Sequence, residues 1–333
     1  MSTRVWTRRE IAVLLALSAA VGLGCKKDKE APGAGSASHA KHLSLTLDWV
    51  PEPEFGGFYA ARESGAFGTH GLDVDIKPRG QGETWKLVAQ HVTDFATTSA
   101  DQVLIAREQG ADVVAIFAVY QTSPQGIMVH KARGFSKIDD VFTNPGTLEA
   151  EDAPWLKYLL RKFPGSVVKL VSNSPGIASF LAKPELSKQC FITSEPLQAL
   201  AADSDPQTFL IADAGYNPYT TVVIARGEMV RDEPETIKQM ILALREGWRA
   251  YVDDPAATNA VMGKLNREMD AHTFAESARV QRALIETDAT KKSALGEMTT
   301  ERWQTLAQQL VDLAVIKKAP PARELFVSPL ATP

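Results

Sequence analysis

Only 2 of the 333 residues are cysteine, too few for a disulfide scaffold in a chain of this length. Neither charge sign is in marked excess. The chain has 36 Lys+Arg against 40 Asp+Glu, a net charge of −4, so there is no basic surplus to match a nucleic-acid backbone. The 6 histidines are dispersed. No His-Glu-x-x-His, P-loop, Gly-x-Ser-x-Gly or Cys-x-x-Cys pattern occurs, so the residues that usually carry those chemistries are missing. After residue 24 no apolar run approaches the length of a membrane-spanning helix. What is present is 44% hydrophobic residues, enough to bury a core, and at roughly 150 residues per domain the length suits two lobes.

The first 42 residues differ in character from the rest. Arg4, Arg8 and Arg9 precede an uncharged apolar run over 11–24, the layout of an export signal. Thr7-Arg8-Arg9 also looks like a twin-arginine signal. Gly24 followed by Cys25 resembles the lipobox of bacterial lipoproteins, which implies cleavage before Cys25 and a lipid on its sulfur. Removing residues 1–24 takes away three Arg and one Glu, leaving 33 basic and 39 acidic residues, a net charge of −6. Residues 25–42 are mainly Lys, Gly, Ala, Ser and Pro and read as a flexible tether. The expected location is the periplasmic or cell-envelope side, anchored to a membrane by the lipid. Cys190, inside the apolar Cys190-Phe191-Ile192, is expected to be a buried structural thiol.

The body alternates strand and helix patterns. Strands are expected over 43–47, 72–77, 94–97 and 113–119, and again over 147–151, 167–171, 191–193, 209–212 and 219–225, with helices between them. From residue 233 the pattern is helical, over 234–252, 255–265, 271–286 and 300–313. The order predicts an α/β fold of two doubly wound units with parallel sheets.

Ligands in such sheets bind beyond the carboxyl ends of the strands. Those ends carry Asp48-Trp49-Val50-Pro51-Glu52, Arg79-Gly80-Gln81-Gly82, Thr98-Ser99 and Tyr120-Gln121 in the first unit. In the second they carry Asp152-Ala153-Pro154-Trp155, Ser172-Asn173-Ser174, Ser194-Glu195-Pro196 and 213–218. One such end is only a turn, but eight with aromatics interleaved predict two faces of a cleft.

The stretch Leu47-Asp48-Trp49-Val50-Pro51-Glu52-Pro53, followed by Gly56-Gly57-Phe58-Tyr59-Ala60-Ala61, resembles the SsuA/thiamine-pyrimidine-precursor family of ABC-transporter substrate-binding proteins. Asp94-Phe95-Ala96, Ser123-Pro124-Gln125-Gly126 and Thr193-Ser194-Glu195-Pro196 extend the likeness. The resemblance implies a type II periplasmic-binding-protein fold, with lobe 1 over 43–138, lobe 2 over 139–217, and residues 218–333 returning to lobe 1 as a helical tail. Crossings between lobes are expected near 134–144 and 216–221. It further implies a monomer that closes on a small molecule and delivers it to an ABC permease and its ATPase.

The residues expected to hold the ligand are Asp48, Trp49, Glu52, Tyr59, Thr98, Ser99 and Gln121 from the first lobe, and Trp155, Asn173, Ser194 and Glu195 from the second. Tyr216 joins them at a crossing. Acids outnumber Arg79 in these loops and aromatics accompany them, which suits an amino-substituted heteroaromatic such as a thiamine-pyrimidine precursor. A sulfonate, taurine or nitrate ligand, or a sensing role without transport, is the alternative. A eukaryotic branch of the family makes the thiamine pyrimidine with a Lys and a His. Those positions fall on Thr98 and Gln102 here, so no catalysis, cofactor or metal is expected, and no nucleic-acid partner.

Overall fold

The structure, a computed structural model, describes residues 40–288 and 295–327. The expected export signal, Cys25 and the tether up to residue 39 lie outside the described residues. Among the described residues, ten strands form two five-stranded sheets. They are β1 (Lys41–Thr46), β2 (Leu72–Lys77), β3 (Phe95–Thr98), β4 (Val113–Tyr120), β5 (Gln125–His130), β6 (Thr147–Ala150), β7 (Lys169–Ser172), β8 (Leu186–Phe191), β9 (Pro206–Leu210) and β10 (Thr220–Arg226).

The first sheet has the order β2-β1-β3-β10-β4 and the second β7-β6-β8-β5-β9. Pairing within β1, β2 and β3, and within β6, β7 and β8, is parallel. Strand burial follows sequence pattern. Edge strand β2, Leu-Asp-Val-Asp-Ile-Lys, alternates buried and exposed, whereas β4, apolar throughout, is buried at every position.

The sheets are not wholly parallel, contrary to expectation. β10 runs antiparallel to β3 and β4, and β5 antiparallel to β8 and β9. Each is the strand by which the chain enters a sheet from the other one, so it arrives from the opposite end. The first passage between sheets therefore lies at 121–124, not near 134–144, and the second at 211–219. The expected strand over 219–225 belongs to the first sheet, and β8 begins five residues before the expected 191–193. The tether also ends earlier than expected, since Lys41 and His42 already pair in β1.

The helices from residue 234 onward lie at Pro234–Asp253, Ala256–Leu265, Ala271–Ile285 and Thr300–Asp312. Their starts are marked locally. Pro234 occupies the first turn of its helix, and Asp270 and Thr299 each accept a backbone N–H of the helix they open. Helix Pro234–Asp253 packs on helix Gly56–Glu63. The Gly56-Gly57 pair makes this possible: a Cβ at Gly56 would overlap the Tyr251 ring, and one at Gly57 the Trp248 indole. Trp248 is buried and meets Phe58 and Tyr251 edge-on at centroid distances of 5.5 and 5.9 Å. Each such pair adds about 0.5–1.5 kcal/mol beyond the area it buries. Cys190 is buried in β8, and burial holds its thiol far above the usual range.

Candidate ligand-binding site

The two passages between the sheets run side by side. The Ser123 N–H donates to Asn217 Oδ1 at 2.8 Å, and Thr220 Oγ1 donates to Ser123 Oγ at 3.0 Å. One side chain of helix Thr300–Asp312 grips both: Arg302 donates to the Gln121 carbonyl at 2.6 Å and to the Asn217 carbonyl at 2.9 Å. Its guanidinium lies 3.7 Å from the centroid of the Tyr219 ring, whose hydroxyl accepts the Thr299 N–H. Thr221, beside this junction, has φ 51°, a left-handed backbone that costs a β-branched residue on the order of 1–3 kcal/mol.

A cleft of about 420 Å³ opens at the junction, within the range of small-molecule sites. From the first sheet it is lined by Asp48 after β1, Glu54 in the turn Pro53–Phe55, Arg79 and Glu83 after β2, and Thr98, Ser99, Asp101 and Gln102 around the end of β3. The second sheet contributes Glu151, Trp155 and Phe191, the passages contribute Ser123 and Tyr216, and the start of β10 contributes Thr221. Five carboxylates thus face one guanidinium.

Two of these acids, Asp48 and Asp101, are already hydrogen-bonded. Asp48 accepts from the Thr97 hydroxyl and donates its own N–H to Thr97 Oγ1 at 2.8 Å. Burial nonetheless raises its carboxyl pKa, outweighing the Thr97 bond and the nearby Arg79 charge. Asp101 is buried and accepts from the Ser99 hydroxyl, from the Tyr216 hydroxyl at 3.0 Å and from the Gln102 N–H at 3.0 Å. Glu54 differs: it is 8% exposed and has no hydrogen-bond or ion-pair partner among the described residues. Burial and the charges of Asp48, Glu52 and Glu195 push its carboxyl well above the ordinary value.

Of the residues expected from sequence, Asp48, Thr98, Ser99, Trp155 and Tyr216 lie in the cleft wall. Glu52, Ser194 and Glu195 are gathered just outside it. Ser194 Oγ donates to Glu52 Oε2 at 3.0 Å across the two sheets, and burial pushes Glu52 up to about 7. Glu195 accepts the Phe191 N–H at 2.8 Å and is also raised by burial.

The other four do not line the cleft wall. Trp49 is 44% exposed, with the Arg79 guanidinium 5.6 Å from its ring centroid. Tyr59 is buried in the core of the first sheet, because helix Gly56–Glu63 turns that face toward its neighbours. Gln121 serves the passage: its carbonyl takes Arg302 and its side chain donates to the Glu297 carbonyl. Asn173 accepts from Lys188 Nζ at 2.8 Å, and that ammonium also pairs with buried Glu149. The expected set lacks four acids of the wall, Glu54, Glu83, Asp101 and Glu151. Glu54 and Asp101 follow expected strand-end residues by two positions, inside the first helical turns beyond those ends.

A family model described as NMT1/THI5 like matches residues 52–258, more than half of the chain. The chain belongs to that family. Among curated relatives of this NMT1/THI5 like chain, the riboflavin-binding protein RibY of Chloroflexus aurantiacus is 25% identical over 114 residues, covering 33% of this chain and 32% of that protein. The formylaminopyrimidine-binding protein of Halalkalibacterium halodurans is 28% identical over 100 residues, covering 30% of each. The chain thus spans about a third of the length of the curated relatives it matches. Among solved structures, the periplasmic aliphatic sulphonate binding protein SsuA of Escherichia coli superposes with a TM-score of 0.68 at 12% identity, covering 88% of this chain and 94% of that one. The fold is that of the periplasmic binding proteins.

Proposed function

We propose that this chain is the substrate-binding component of an ABC importer, held at the envelope side of a membrane by a lipid on Cys25. It acts as a monomer and not as an enzyme. It captures a small amino-substituted heteroaromatic, related to the thiamine-pyrimidine precursors, and presents it to a permease and its ATPase. A ligand resting on one sheet gains contacts from the other only when the cleft shuts, so binding draws the open population toward the closed one.

The observation that carries this reading is the composition of the cleft wall: five carboxylates against Arg79, with the flat rings of Trp155 and Tyr216 beside them. Such a wall repels a sulfonate and welcomes N–H donors and a ring. The two curated relatives are named for riboflavin and formylaminopyrimidine, both nitrogen heterocycles. A thermal-shift panel of aminopyrimidines, thiamine, riboflavin, taurine and nitrate tests it. At a hundredfold excess over Kd the matching ligand stabilises by about 2.7 kcal/mol, a rise in Tm of several degrees. Stabilisation by taurine or nitrate alone overturns the ligand class.

A further inference from the structure

Four carboxyl groups converge around the end of β1 and the turn Pro53–Phe55, and three of them are already engaged. Asp48 takes the Thr97 hydroxyl, Glu52 the Ser194 hydroxyl and Glu195 the Phe191 N–H. Of these four, Glu54 alone both lines the cleft and has no partner among the described residues, and it is nine-tenths buried. Its carboxyl faces the cleft without a protein partner, so its hydrogen-bonding capacity is open to a molecule held there.

The charges that act on Glu54 are those of Asp48, Glu52 and Glu195, all acidic. The other ionisable groups of the cleft wall are Arg79, Glu83, Asp101, Glu151 and Tyr216, and the Glu54 charge also acts on Tyr120, whose hydroxyl donates to Gln281. Arg79, the cation of the wall, stacks on Trp49. Surroundings of this sign, with little water, favour the uncharged acid. The turn itself is fixed: Gln281 Nε2 donates to the Pro53 carbonyl at 2.9 Å, the Phe55 N–H donates to the Glu52 carbonyl at 2.9 Å, and the next two residues are the close-packed glycines. The backbone that carries Glu54 is therefore set before any ligand arrives.

A neutral carboxylic acid presents one O–H donor and one C=O acceptor side by side. Their complement is a ring nitrogen next to a carbon bearing an amino group, the cyclic amidine edge of 4-aminopyrimidines and related bases. We infer that Glu54 is the specificity-determining residue, donating its O–H to a ring nitrogen and accepting from the adjacent amino group. This deepens the aminoheteroaromatic reading above and rests on it. It sets Glu54, rather than Asp48 or Glu195, as the reader of the amine.

The test is calorimetric titration of 4-amino-2-methylpyrimidine, and of its 4-oxo analogue, into the wild type, Glu54→Gln and Glu54→Ala over a series of rising pH. Melting temperatures of the empty proteins report folding. The wild type is expected to bind the amino compound, to weaken toward the alkaline side as Glu54 loses its proton, and to discriminate against the oxo compound. Two lost hydrogen bonds in a buried site make Glu54→Ala about tenfold or more weaker. Glu54→Gln keeps an N–H donor and a C=O acceptor in the same places, so it retains most of the affinity and loses the alkaline fall. If Gln is as weak as Ala, the carboxylate charge and not the neutral edge is what binds. If Ala equals the wild type, or the oxo compound binds equally well, Glu54 does not read the ligand, while the aminopyrimidine reading stands. Failure of the wild type to bind any pyrimidine overturns both.

Discussion

Glu52 joins the two sheets through a single hydroxyl, that of Ser194, and its carboxyl titrates at about 7 because it is buried. The folded protein therefore retains a proton that the unfolded chain releases near pH 4.5. Stability contributed by this group is present below that pH and falls as pH rises toward 7, by up to about 1.4 kcal/mol per unit. Asp48, Glu54 and Glu195 are raised as well and act in the same direction. Glu52→Gln is expected to flatten the decline between pH 5 and 7 in denaturant melts while keeping an acceptor for Ser194. A slope equal to that of the wild type would assign the titration to the other three acids. At this scale the sequence reveals the groups that stand at strand ends, Asp48, Thr98, Ser99, Trp155 and Tyr216, because position in an α/β sheet decides exposure to the cleft. It does not reveal Glu54 or Asp101, which begin helical turns and read as ordinary cap-region acids. Nor does it show that Tyr59 faces inward, since helix orientation depends on what packs against it.

Among elements, the contact between helices Gly56–Glu63 and Pro234–Asp253 is the most sharply specified. Gly57→Ala places a methyl group into the Trp248 indole, and overpacking of this kind costs about 1–3 kcal/mol. A thermal melt of the variant should show a fall of several degrees, and Trp248→Leu in the same chain should recover part of it. An unshifted melt would mean that the helices separate freely. Element type and order are largely legible in the sequence: the continuous apolar run of β4, the alternation of β2 and the four late helices all lie where the periodicity puts them. β5 is not legible. It is short, contains Gly126 and follows closely on β4, so the pair reads as one strand with a trailing loop. Its direction, like that of β10, comes from the passage between sheets, a non-local fact.

For the whole molecule the decisive region is the junction of the two passages. Arg302→Ala removes donors from the Gln121 and Asn217 carbonyls and the cation from the Tyr219 ring, a loss on the order of 1–3 kcal/mol. It should also broaden the separation between the sheets. Spin labels at cysteines replacing the exposed Asp73 and Asp203 would measure this, with buried Cys190 expected to stay unlabelled. A distance distribution as narrow as that of the parent would leave Arg302 a purely local role. The clasp has a mechanical consequence. Both connecting segments are pinned by the same guanidinium, so neither can flex at a point of its own. Swinging must then be a shared twist about one axis, and the helix that carries the pin, far along the chain from either sheet's cargo face, sets where that axis runs.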